Sequence, residues 1–191
     1  MTPIRSETSA LGHEVAQARF SRLYREQGRA ILAYALRRVD EPEDAADVVA
    51  ETFLVAWRRF DDVPIGDGAR LWLYATAGGV LSNLRRSERR RTRLGARLAE
   101  SLRTEIATHA APRGEAAEVL RAMGGLSPED RELLMLVSWE ELTPAEAARV
   151  LGLSALATRS RLHRARRRLR ALVKEREAAG TGPALDTEEA R

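Results

Sequence analysis

The stretch that decides the fold is "TPAEAARVLGLSALATRSRLHRARRRLR", Thr143 to Arg170. Thr143-Pro144-Ala145-Glu146 has the form of a capping box with proline at the first helical position. The threonine side chain can accept from an orphan amide, and the glutamate can reach back to the cap. The helix opened in this way ends at Gly152, a residue free to take the positive φ of a tight turn, and Ser154 caps a second helix. Helix, glycine turn and helix form the layout of a helix-turn-helix unit. At about 100° per residue, Ala155, Thr158, Leu162, Ala165, Leu169 and Val173 share one stripe of the second helix, its expected buried face. Arg159, Arg161, Arg164, Arg166, Arg167, Arg168 and Arg170, with Ser160 and His163, occupy the rest. So many like charges repel one another unless a polyanion meets them. Such a helix suits the major groove of DNA, with phosphates on both sides and base edges ahead.

The rest of the chain sets limits on this reading. Its 191 residues allow one ordinary domain or two small ones. Aromatic residues are only 5%, so a core must lean on Leu, Val and Ala. No window approaches eighteen consecutive apolar residues, which excludes a membrane span, and the N-terminus lacks the apolar stretch of a signal peptide. The chain has no cysteine, so disulfides, thiolate zinc sites and cysteine nucleophiles are ruled out. His13, His109 and His163 are too dispersed to suggest a metal motif. No cofactor and no metal are expected, and a cytoplasmic location follows by default.

The net charge of +4 conceals blocks of opposite sign. Residues 39–62 hold eight acids and two arginines, whereas residues 85–97 hold seven arginines and one acid. Charge sorted in this way points to more than one partner surface.

Almost every periodic stretch repeats at helical spacing, so the expected fold class is all-α: two small helical domains joined by a flexible basic linker. Phe20, Leu23, Tyr24, Ile31 and Tyr34 trace one face of a helix over residues 20–39. Pro42 opens a second helix that runs to about Phe60. "DDVPIGDGAR", Asp61 to Arg70, reads as a loop because of Pro64, Gly66 and Gly68, with a third helix from near Leu71. Residues 92–114 read as a connector. Two short helices follow, the second opened by Ser127 and Pro128. The tail from Arg176 has no apolar periodicity and is expected to be disordered.

The second half resembles domain 4 of bacterial sigma-70 family sigma factors of the extracytoplasmic-function (ECF) group, which typically show a sequence like "LSYEEIAEILGVSVGTVKSRLHRARRRLR". The match here is "LTPAEAARVLGLSALATRSRLHRARRRLR". The first half resembles domain 2 of the same family independently. "DAADVVAETFLVAWRRF", Asp44 to Phe60, is similar to "DAEDLVQETFLRAWR", and "WLYATAGGVLSNLRR", Trp72 to Arg86, is similar to "WLYRIARNLALDHLRR". Ala50 replaces a frequent glutamine, and Ala75, Gly78 and Gly79 stand where the family often has Arg, Arg and Asn. The implied division is an N-terminal tail (1–17), domain 2 (18–91), the linker (92–114), domain 4 (115–175) and a C-terminal tail (176–191).

The resemblance implies a factor without catalytic chemistry that lends promoter specificity to core RNA polymerase. The helix from Pro42 is expected to bury Val49, Phe53, Trp57 and Phe60. Its other side would present Asp44, Asp47, Val48, Glu51 and Val55 to the β′ clamp helices, as valines among carboxylates suit a basic, partly apolar partner. The β flap and an anti-sigma factor are further partners that the family implies. For the −10 element, the loop residues Asp61, Asp62, Val63, Pro64 and Ile65 sit where the family captures a flipped base. Trp72, Tyr74, Asn83, Arg85, Arg86 and Arg89 lie beside the adjacent strand. For the −35 element, Arg159, Ser160, His163, Arg164 and Arg166 are expected at the bases, with Arg161 and Arg167 at phosphates or polymerase. A linker of about 22 residues spans at most roughly 70 Å, enough to let both domains bind elements some two helical turns apart.

Two other readings compete. An autonomous helix-turn-helix regulator would need a dimer seam or a ligand pocket, and neither is visible in the sequence. A Mg²⁺-dependent nucleotide hydrolase could use the ladder Glu43, Asp47 and Glu51, but such sites need facing carboxylates and the preceding helix offers only Glu26.

Overall fold

The computed structural model describes residues 4–95 and 115–180, and these form seven α-helices and one short 3₁₀ turn, divided between two compact units. The linker expected over 92–114 lies outside the described residues from 96 onward, as does the tail from 181.

The first unit contains α1 (Ile4–Leu36), α2 (Pro42–Arg58), the 3₁₀ turn Phe60–Asp62 and α3 (Asp67–Gly95). Helix α2 starts at Pro42, whose missing amide costs nothing in a first turn, and Glu43 and Asp44 there complement the helix dipole. The core joins Ile31, Tyr34 and Ala35 of α1 to Ala45, Val48, Phe53 and Ala56 of α2 and Leu73, Tyr74, Ala77 and Leu81 of α3. Tyr34 and Tyr74 meet at 5.2 Å between ring centroids. At the other end, Phe20 packs edge-on against Trp57 at 5.0 Å, and Tyr24 against Phe53 at 4.8 Å. The buried hydroxyl of Thr52 donates to the Val48 carbonyl, 2.6 Å away, so it needs no outside acceptor.

Three helix boundaries differ from the sequence expectation. Helix α1 begins at Ile4, within the stretch read as a tail, and α7 continues through Arg176 to Gly180, where disorder was expected. Helix α3 begins at Asp67 rather than near Leu71. Gly68, which reads as a loop marker, is instead a point of close approach: a Cβ there would lie 2.8 Å from the Cβ of Pro64.

The second unit contains α4 (Glu115–Met123), α5 (Pro128–Ser138), α6 (Pro144–Leu151) and α7 (Ala155–Gly180). Its core combines Leu133 and Leu136 of α5, Ala147 and Ala148 of α6 and Thr158, Leu162 and Ala165 of α7, together with Ala122, Leu126 and Leu142. Full burial of a leucine contributes about 1.5–3 kcal/mol, so Leu133 and Leu136, both 0% exposed, are principal contributors. Arg131 donates to the carbonyls of Met123 and Gly124, 3.0 and 2.9 Å away, and so closes the C-terminal end of α4.

Candidate nucleic-acid interface and acidic docking face

The helix-turn-helix of the second unit is built from its caps. The Thr143 hydroxyl accepts from the Glu146 amide at 3.3 Å, and the Thr143 amide donates to the Glu146 carboxylate at 2.8 Å, which completes the capping box. Gly152 sits at φ 65°, and the Leu153 amide reaches back to the Ala148 carbonyl at 2.9 Å, closing α6 with a Schellman turn. The Ser154 side chain then accepts from the Ala157 amide at 3.2 Å to start α7. These local bonds fix the direction of α7 and therefore what it presents.

Thr158, Leu162 and Ala165 of the expected stripe are buried and Leu169 and Val173 half-buried, but Ala155 is exposed. It falls in the first turn of the helix. Arg159, Ser160, His163, Arg164, Arg166 and Arg167 are all exposed, the accessibility that contact with a duplex requires. Arg161 differs. Its Nε lies 2.6 Å from the Asp130 carboxylate and a terminal nitrogen 3.7 Å from Glu129, so it ties α7 to α5. Arg161, expected at phosphates or polymerase, thus has its guanidinium engaged by two carboxylates of its own unit. The first turn also presents Leu156, 75% exposed.

In the first unit, Asp47 and Glu51 lie on the exposed side of α2 and Asp44 is half-buried. Val48 is 1% exposed and does not belong to that face. The helix is rotated relative to the expected stripe: Ala45, Val48, Thr52, Phe53 and Ala56 form its buried seam, while Trp57 is exposed and Val49, Val55 and Phe60 are half-buried. Small residues let α2 approach both α1 and α3, and the large aromatics fill its edge. Leu54, 40% exposed beside Asp47 and Glu51, takes the apolar place on this side that Val48 leaves.

The segment after α2 has a fixed base and an exposed tip. Arg19 donates to the Val63 carbonyl at 2.7 Å and stacks over the Phe60 ring at 4.6 Å. Val63 is buried, which removes it from the expected base-capturing surface; Asp61, Asp62, Pro64 and Ile65 are exposed, Ile65 at 86%. Asp62 pairs with Arg59 at 2.8 Å. On α3, Tyr74 is 1% exposed and packs on Tyr34, so it too leaves the expected DNA surface, whereas Trp72 is half-buried. Asn83 and Arg86 are exposed. Arg85 donates to the Arg38 carbonyl at 3.1 Å and so anchors α3 to the end of α1. The Arg89 backbone is helical, and its side chain lies outside the described residues.

Sequence reasoning missed Arg19, Arg38 and Asp130, each of which positions a site residue from a distant part of the chain. Arg38 is buried over the Tyr34 ring at 3.6 Å. Nothing in a local periodicity announces such partners. Among the described residues, no group of three or more His, Asp or Glu gathers where a metal could be held, and no helix is long and apolar enough to cross a membrane.

Comparison with known proteins agrees with both halves. Residues 23–91 match the model for Sigma-70 region 2, and residues 116–169 that for Sigma-70, region 4. RNA polymerase sigma factor NccH of Alcaligenes xylosoxydans xylosoxydans is 34% identical over 178 residues, spanning 88% of this chain and 95% of its own. ECF RNA polymerase sigma factor SigL of Mycobacterium tuberculosis is 33% identical over 170 residues, 86% of this chain and 94% of its own. Of solved structures, the sigma factor RpoE in complex with the anti-sigma factor NepR from Bartonella quintana is similar with a TM-score of 0.59 and 26% identity, over 81% of this chain and 96% of that one. Two family models in the expected order, and relatives alike over almost their whole length, make this chain a member of the sigma-70 family in its extracytoplasmic-function group.

Proposed function

We infer that the chain binds core RNA polymerase and directs promoter-specific initiation of transcription, reading the −10 element with its first unit and the −35 element with its second. The observation that carries this reading is the outward face of α7, where six polar or basic side chains that the −35 reading needs stand exposed on a helix fixed by a capping box and a glycine turn. In this reading Arg159, Ser160, His163, Arg164 and Arg166 meet base edges, and Arg167 meets phosphate or polymerase. Arg161 holds the helix in place.

The first unit supplies the polymerase contact through Asp44, Asp47 and Glu51, with Val55 at the margin. Pro64 and Ile65 at the exposed tip, flanked by Asp61 and Asp62, receive the unpaired −10 strand. Trp72, Asn83, Arg85, Arg86 and Arg89 follow its backbone. The chain contributes no catalysis of its own, acts in the cytoplasm, and is restrained by an anti-sigma protein. The RpoE structure, a complex with an anti-sigma factor, supports that last point.

Equilibrium binding of the labelled chain to purified bacterial core polymerase, with no DNA present, tests the reading. Tight binding that Asp47→Arg abolishes supports it. If neither protein binds core while the wild type still holds a specific duplex, the chain works as an independent helix-turn-helix regulator instead.

A further inference from the structure

The first turn of α7 is the uncharged part of its outward face. Ala155, Leu156 and Ala157 are all exposed, and Leu156 stands between two alanines as the longest side chain of the turn. A leucine left 75% open contributes little to folding. Helical steps from Leu156 lead to Ser160, His163 and Arg167, a line directly opposite the buried Thr158, Leu162 and Ala165. Arg159, Arg164, Arg166 and Arg170 flank that line on both sides. The centre of the face thus runs from apolar, through hydroxyl and imidazole, to guanidinium, with cations along its rims.

This pattern fits one occupant. A face this rich in cations suits a polyanion, and a recognition helix meets base edges chiefly through its N-terminal residues. Among the base-pair edges in the major groove, the apolar group on offer is the C5 methyl of thymine. A protein partner would equally accept the leucine, but it would also have to supply acids for Arg159, Arg164 and Arg166 on the same face, a need that the phosphates of a duplex meet without further design.

We propose that Leu156 is a specificity-determining residue that packs against the C5 methyl of a thymine in the −35 element. The proposal rests on the reading of α7 as the −35 recognition helix. Leucine offers no hydrogen bond, so its preference depends wholly on that methyl group, whereas Ser160, His163 and the arginines discriminate by donors and acceptors.

The test uses the full chain bound to purified core polymerase. Its upstream duplex element is selected from a randomised pool, and each thymine in that element is then replaced singly by deoxyuridine, which removes only the methyl group. One such replacement is expected to weaken the wild-type complex roughly threefold to tenfold. Leu156→Ala is expected to bind both duplexes equally, lose the thymine preference on reselection and keep the wild-type melting temperature. An equal penalty in wild type and Leu156→Ala, or no thymine whose methyl matters, overturns the proposal and leaves α7 as the reader. Weaker binding of Leu156→Ala to core polymerase without DNA also overturns it, by placing the residue on a protein interface. If no element is selected at all, the −35 reading fails and the proposal fails with it.

Discussion

Arg161 on α7 lies 2.6 Å from the Asp130 carboxylate on α5, and this pair separates the structural arginine of the basic helix from the exposed ones. Both side chains are about one-third exposed or less, at 32% and 27%, so the bond is only partly screened by water. Arg161→Ala is expected to cost about 1 kcal/mol, several degrees in the melting transition of a domain this size. The salt dependence of duplex binding should stay unchanged. Arg167→Ala should leave melting unaltered and lower the slope of log K against log salt by about 1. Scanning calorimetry and a salt titration of duplex affinity separate the two.

Asp47 and Val48 are neighbours in sequence on opposite sides of α2, one exposed and one buried. Val48→Ala leaves a cavity in the core of the first unit, at a cost of about 2 kcal/mol. Asp47→Ala should change stability by no more than about 0.5 kcal/mol while weakening core polymerase binding. Urea denaturation paired with a polymerase binding assay reads both. Equal loss of stability in the two variants would contradict the rotation of α2 described above.

Two residues of the helix-turn-helix region adopt positive φ: Gly152 at 65° and Glu141 at 55°. A left-handed conformation costs an L-residue about 1–2 kcal/mol, partly offset by the greater chain freedom of glycine in the unfolded state. Gly152→Ala should therefore destabilise the second unit by roughly 1 kcal/mol, as a Cβ there meets no atom within 4 Å and the strain is purely backbone. Glu141→Gly should raise stability by up to about 1 kcal/mol. Thermal melts with opposite shifts would verify both.

The paired glycines of α3 should behave differently from each other. A Cβ at Gly79 meets nothing within 4 Å, so Gly79→Ala should stabilise the helix by about 1 kcal/mol. At Gly78 a Cβ would lie 3.3 Å from the Tyr34 hydroxyl. Its helix-forming gain is offset by that close contact, and Gly78→Ala should leave the melting temperature nearly unchanged. Comparing the single variants by circular dichroism decides the point.

The legible parts of the molecule were those encoded locally. The capping box at Thr143, the glycine turn at 152 and the caps at Ser127 and Pro128 are short-range bonds between residues a few positions apart, and they gave the helix-turn-helix with its boundaries. The illegible parts depend on what lies across from a residue. Asp130 and Arg161 are 31 positions apart, and Arg19 finds the Val63 carbonyl at a separation of 44. No periodicity links them, so Arg161 reads as one more contact to phosphate or polymerase. On α2 the conspicuous large residues suggested a stripe, whereas the seam is made by Ala45, Thr52 and Ala56, which matter because they are small. Gly68 read as a loop because its reason for being glycine, the packing of Pro64, belongs to the folded chain.

The outward line of α7, Leu156, Ser160, His163 and Arg167, is exposed along its length, while the stripe that holds the helix in its unit is a different set of residues. Substitutions on an exposed face of this kind usually change stability by no more than about 0.5 kcal/mol. On the reading of α7 proposed above, descendants of such a chain can, after gene duplication, rewrite the words they read, one side chain at a time, without passing through an unfolded ancestor. A lineage that needs many distinct regulons can diversify its addresses on one unchanged scaffold.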